Sequence, residues 1–113
     1  MVQTIKSKLP LSKFGQSMGS GLIISMCKNN GSNVVFMLER HGIEGTTDTG
    51  AVIHTFELND GDNITEAFNF KSSVELKTLI KTPQAIALSH DGESLYIYDG
   101  YASSENYFIK IDM

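Results

Sequence analysis

Tryptophan is absent and cysteine occurs once. A single Cys27 can close no internal disulfide and can build no cysteine-based zinc site. It sits inside an apolar, strand-like run, where a buried and inert thiol is expected. The lack of Trp counts against a sugar-binding surface, since its large ring with a polar handle is well suited to one. Long apolar runs are missing too. Stretches such as Gly21–Ile24 are far shorter than the ~20 residues that cross a bilayer. No basic region precedes an apolar one at the start, so the chain reads as cytoplasmic with no membrane partner.

Cations are also scarce: 9 Lys and Arg stand against 13 Asp and Glu, a net charge of −4. Residues 1–40 hold Lys6, Lys8, Lys13, Lys28 and Arg40 against Glu39 alone. Residues 41–70 hold Glu44, Asp48, Glu57, Asp60, Asp62 and Glu66 with no Lys or Arg, and residues 91–113 hold five acids against Lys110. Phosphate binding needs clustered cations, so no nucleic-acid partner is expected. If the acidic segments share a face, they favour encounter with a basic protein. The plainer reading is that the acids solvate loops.

The usual catalytic and cofactor patterns are missing as well. "KFGQSMGSG" places Gly15, Ser17 and Gly19 at the G-x-S-x-G spacing of a nucleophile elbow. That elbow needs a strand before the serine and a helix after it. Here Leu22-Ile23-Ile24 follow, a loop running into a strand, so the match reads as chance. His41, His54 and His90 lie more than ten residues apart and lack metal-ligand spacing. "NDGDNITEAF" puts Ile64 where a calcium loop needs an oxygen, and turn chemistry suffices to explain its acids. The glycines precede a strand rather than a helix, so they make no phosphate cradle. No cofactor, metal or catalytic residue is expected.

What is present is a succession of short β-type runs separated by turn signals. At 113 residues the chain is long enough for a core and reads as a single domain, 1–113. "GLIISMCK" and "NVVFMLER" flank Asn30-Gly31, a strong two-residue hairpin signal. That turn would pair Met26 with Val35 and Ile24 with Met37. Both faces of this hairpin are apolar, so cover on both sides is expected. "AVIHTFEL" and "NITEAFNF" alternate around "NDGD", with Leu58 opposite Ile64 and Phe56 opposite Glu66. "SSVELKTLIKTP" predicts one short helix near 73–81: Ser72 and Glu75 fit a capping box, Val74, Leu76, Leu79 and Ile80 form a stripe, and Pro83 stops it. "QAIALSHDGESLYIYDG" predicts a hairpin about Asp91-Gly92, and "NYFIKI" a closing strand. The segment Pro83–Gly100 resembles one blade hairpin of β-propellers. It is not repeated in the chain, and one hairpin implies neither a family nor a function. The expected fold is mainly β, leaning to α+β: an antiparallel β-sandwich or half-open barrel built from hairpins, with one short helix near 73–81.

Two places could carry function. In the register above, His54 and Glu66 are diagonal neighbours on one apolar face, either an acid–base pocket or two groups that satisfy each other in the core. Around Asp91-Gly92, Ala87 opposes Tyr96 and Ala85 opposes Tyr98. This suggests an aromatic platform ringed by Asp99, Tyr101, Glu105 and Tyr107, or a second core layer under the helix. The leading expectation is a small acidic binding protein of inhibitor or immunity type. It would neutralise a basic protein such as a nuclease toxin through Glu44, Asp48, Asp60, Asp62, Tyr96, Tyr98, Asp99, Tyr101 and Glu105. The alternatives are a small-molecule-binding β-barrel or enzyme with a His54/Glu66 pocket, and a structural homo-oligomer subunit.

Overall fold

Among the described residues of a computed structural model of the chain, seven strands, every neighbouring pair antiparallel, form two sheets. The structure describes residues 3, 8–14, 22–29, 31–42, 49–60, 67–76, 80, 82–100 and 106–113. Strands β1 (Leu22–Lys28), β2 (Val34–Gly42), β3 (Thr49–Leu58) and β4 (Phe68–Glu75) make a four-stranded sheet in chain order. Strands β5 (Pro83–Leu88), β6 (Ser94–Asp99) and β7 (Tyr107–Asp112) make a three-stranded one. Strand β5 lies against β1 and β2. The arrangement is that of a β-sandwich or half-open barrel. No helix among the described residues is long and apolar enough to cross a membrane.

The core between the sheets takes Phe36, Leu38, Ala51 and Ile53 from the larger sheet and Ile86, Leu95 and Ile97 from the smaller, with Ile80 from the connection. Burying each large aliphatic side chain stabilises the fold by about 1.5–3 kcal/mol. The larger sheet is apolar on its other face too. Val35, Met37 and Phe56 are buried there, with Leu11 and Phe14 of a 3-10 turn (Leu11–Phe14) packed on them. Cover on both sides explains why β2 reads Val-Val-Phe-Met-Leu without a polar alternate.

The pairings test the sequence reading strand by strand. About Asp91-Gly92 the expected partners are all present: Leu88 with Leu95, Ala87 with Tyr96, Ile86 with Ile97 and Ala85 with Tyr98. Gly92 adopts φ +78°, and a Cβ there would lie 2.8 Å from the Asn29 side chain. Glycine thus permits the turn and lets the tips of two hairpins touch. The β1–β2 hairpin is displaced by two residues, with Met26 opposite Met37. Its loop is longer than a two-residue turn, because Asn29 N–H bonds Val34 O at 3.0 Å and Ser32 Oγ accepts Val34 N–H at 3.1 Å. The even displacement leaves Met26 and Cys27 on their expected faces, but a bulge between Ile23 and Ser25 turns Ile24 into the inter-sheet core beside Cys27 and puts Ile23 on the opposite face.

Beyond β3 the differences are larger. Leu58 faces Phe68 and Phe56 faces Phe70, so the expected pairing with Ile64 and Glu66 is replaced. A longer connection closes through Asn59 N–H to Ala67 O at 2.7 Å. It brings Phe68 and Phe70 onto Phe56, at ring-centroid distances of 5.7 and 5.6 Å. The short helix expected near 73–81 is corrected at its start, since Ser73, Val74 and Glu75 extend β4 along β3. Cross-strand pairing outweighs the capping-box signal. One helical-type bond follows, Ile80 N–H to Leu76 O at 3.0 Å. Residues 77–79 and 81 lie outside the described residues.

The β5–β6 turn is held by Asp91, whose Oδ1 accepts from Ser89 Oγ at 2.6 Å and Glu93 N–H at 3.0 Å. The Ser89 hydroxyl, followed by the Glu93 amide, holds the Asp91 carboxyl below its ordinary range. A depressed carboxyl adds stability above its unfolded value, and that stability is lost as pH falls through the folded one. The stability gap between the native protein and Asp91→Asn is therefore expected to hold at pH 7. It should shrink below about pH 4, read as the urea midpoint at each pH. A gap that persisted in strong acid would show that the turn does not use the carboxylate charge.

Candidate functional site

The outer face of the three-stranded sheet is built by alternation. On β6, Leu95 and Ile97 point into the core, which leaves Tyr96 and Tyr98 outward. Their neighbours share that face: Ala87 and Lys110 flank Tyr96, and Ala85 and Phe108 flank Tyr98. Phe108 is 86% exposed and Tyr96 41%. The Tyr98 and Phe108 rings lie 5.6 Å apart, and Tyr98 OH donates to Asn106 Oδ1 at 3.2 Å. Ala85, Ala87, Tyr96, Tyr98 and Phe108 line a shallow apolar depression of about 110 Å³. The small alanines leave the rings standing proud of the sheet.

The other residues proposed for this surface are placed differently. Asp99 is buried and accepts Thr82 N–H at 2.7 Å, tying the end of β6 to the start of β5. It is therefore withdrawn from any docking face. Tyr107 pairs with Asp99 and so points to the opposite side of the sheet. Asp60 is exposed after β3. Glu44, Asp48, Asp62, Tyr101 and Glu105 lie outside the described residues, as do Glu66 and the Gly15–Gly19 segment. Phe108 was not anticipated. Its signal was the alternation in "YFIKI", which sets Phe108 and Lys110 opposite Ile109 and Ile111.

A second constellation lies on the far face of the larger sheet. Glu39 shares a face with Val35 and Met37 at alternate positions of β2. His54 on β3 pairs with Met37, and Ser73 on β4 pairs with His54. These registers bring three polar side chains into line. His54 Nε2 lies 2.6 Å from Glu39 Oε1, and His54 Nδ1 lies 2.6 Å from Ser73 Oγ. Glu39 is 0% exposed and His54 3%, while Ser73 sits on the exposed part of β4. A carboxylate can only accept, so Nε2 carries a proton; in the neutral ring Nδ1 then accepts from the Ser73 hydroxyl. The acid beside His54 among the described residues is Glu39, fifteen positions before it in the chain.

Two further hollows are formed by the described residues. One of about 410 Å³ lies between β1 and β5, lined by Cys27, Lys28 and residues 86–90. Burial pushes the Cys27 thiol above its ordinary value, which keeps it protonated and a poor nucleophile. The other, about 180 Å³ and almost wholly apolar, lies between the Leu11–Phe14 turn and the larger sheet. Among the described residues no group of three His, Cys, Asp or Glu could hold a metal ion. In comparisons with known proteins, no family model, no characterised sequence and no solved structure matches this chain.

Proposed function

We propose that the protein is a small binding module of inhibitor or immunity type that docks a basic protein, such as a nuclease toxin, through the outer face of the β5–β7 sheet. The observation that carries this reading is Phe108, 86% exposed beside Tyr96 and Tyr98. Aromatic rings bury much area at small entropic cost and dominate binding hot spots. The charge balance supports a basic partner: the net charge is −4, and residues 41–70 carry six acids and no Lys or Arg. An excess of acidic side chains speeds encounter with a cationic partner.

The test is retention of a basic protein from the native host's lysate by the tagged chain, at low and at high salt. The retained protein is identified and titrated against Tyr96→Ala/Phe108→Ala. Affinity is expected to fall at least ~30-fold in that variant, the effect of losing a hot spot of about 2 kcal/mol. Neutralising Glu44, Asp48, Asp60 and Asp62 together is expected to weaken binding mainly at low salt. Undiminished affinity in the double-aromatic variant, with its circular dichroism intact, overturns the reading.

A further inference from the structure

Glu39, His54 and Ser73 are arranged as an acid, a base and a nucleophile are arranged in serine hydrolysis. We propose that Ser73 is an activated nucleophile and that this relay transfers acyl groups from small apolar esters. The proposal is independent of the docking face, which lies on the other sheet.

Three features of the relay carry it. Both hydrogen bonds are 2.6 Å, so the nucleophile-to-base and base-to-acid contacts are both made. Burial runs in one direction, from an enclosed Glu39 through His54 to Ser73 on the exposed strand. A histidine held only for packing has no need of a partner that faces solvent. The tautomer is also fixed: Nε2–H is committed to the carboxylate, which leaves the Nδ1 lone pair aimed at the Ser73 hydroxyl. The two ring nitrogens exchange the roles they play in the familiar Ser-His-Asp triad. The chemistry is unaltered, since either nitrogen is basic when the other bears the proton.

The substrate class comes from the neighbouring cavity. Met37, the strand partner of His54, and Phe56, two residues along β3, line the apolar hollow of about 180 Å³ with Leu11, Phe14, Met26 and Phe68. An engineered apolar cavity of ~150 Å³ accepts benzene. The site therefore suits an ester whose acyl or aryl group is about that size.

Ser73 Oγ bonds to the carbonyl carbon while its proton passes to His54 Nδ1. The tetrahedral adduct collapses, the carbon–alkoxy bond breaks, and the leaving alcohol takes the proton from Nδ1. Water then attacks the acyl-serine and gives a proton to Nδ1, which returns it to Ser73 Oγ as the carboxylic acid leaves. Glu39 stays ionised throughout and holds the imidazolium.

The intact chain treated with a fluorophosphonate probe is expected to gain one adduct, mapped to Ser73. Its labelling rate should be ~100-fold above that of Ser72, the exposed neighbour that serves as internal control. Hydrolysis of p-nitrophenyl butyrate should fall to the buffer rate in Ser73→Ala. Because phosphonylation also asks for room at phosphorus, a second measurement compares Ser73→Cys with Ser72→Cys. Iodoacetamide at pH 7 is expected to alkylate the former ~10-fold faster, since His54 draws off the thiol proton. Glu39 is a positioning residue. Adding Glu39→Gln to Ser73→Cys is expected to move the pH profile of that alkylation, which a loss of packing alone leaves in place. Equal alkylation of the two thiols, or equal labelling of Ser72 and Ser73, overturns the proposal.

Discussion

Replacing His54 by leucine is expected to cost about 3–5 kcal/mol of folding stability, the loss typical of taking a compensating group from a buried charge. Glu39 is fully enclosed and its Oε1 takes a 2.6 Å bond from the imidazole. Leucine fills much of the same volume but donates nothing, so the carboxylate loses an N–H donor that water cannot replace. A domain of this size holds roughly 5–15 kcal/mol in total, so the variant should melt about 12–20 °C lower. Far-UV circular dichroism during urea and thermal unfolding reads this directly. The companion variant Glu39→Leu/His54→Leu removes both polar partners. Its side chains then match Val35, Met37, Val52 and Phe56 around them, and most of the loss is expected to return. Equal losses in the single and double variants would show that shape, not charge, sets the cost. The double variant also separates stability from chemistry, because it regains the first while losing the proposed base.

The fold was legible where turn chemistry and alternation agreed. Asp91-Gly92 fixes one register, and "SLYIYD" alternates cleanly, with Leu95 and Ile97 on one face and Tyr96 and Tyr98 on the other. Asn30-Gly31 marked the first hairpin but not the length of its loop, because the Ser32 hydroxyl takes the Val34 amide and draws two more residues into it. The even displacement keeps the faces of Met26 and Cys27, whereas the bulge between Ile23 and Ser25, which no local signal marks, exchanges those of Ile23 and Ile24. Strand β4 was less legible. Ile64, Phe68 and Phe70 all compete to face Phe56, and periodicity alone cannot choose among registers that differ by an even number. Ser72 to Glu75 likewise satisfied a helix-start rule that is local, whereas the pairing with β3 that overrode it is not.

The sites follow the same division. Tyr96 and Tyr98 were placed together because their pairing depends on one tight hairpin. Asp99 was assigned to the same surface on proximity in sequence, but its carboxylate turns back to the Thr82 amide across the irregular start of β5. Glu39 drew no attention, although an acid at an alternate position of a strand apolar on both faces must be either exposed or paired. Its partner could be named only from the β2–β3 register, which sets Met37 against His54 and so puts Glu39 one diagonal away. Ser73 depends on a second register, the β3–β4 pairing, which the helix-start signal at Ser72 and Glu75 conceals. A constellation drawn from three strands depends on two pairings, and an error in either hides it.

The second large effect is expected at Phe56, which is fully buried among three other rings. Phe14, Phe68 and Phe70 lie 5.2, 5.7 and 5.6 Å from it, all near the edge-to-face geometry that aromatic quadrupoles prefer. Phe56→Ala leaves a cavity that these neighbours can only partly refill, at a cost of about 3–5 kcal/mol. The loss should not be uniform. Phe14 joins the Leu11–Phe14 turn to the sheet chiefly through this ring and Phe70, so the N-terminal segment loses its main anchor. Hydrogen exchange is therefore expected to speed first over residues 8–14 and next along β4, while β5–β7, whose core is built around Ile97, keeps most of its protection. Uniform acceleration across both sheets would instead show that the two faces of the larger sheet unfold as one unit. The same variant enlarges the apolar hollow beside the relay. If esters of small acyl groups are the substrates, Phe56→Ala should shift preference toward longer acyl chains at temperatures where the variant remains folded.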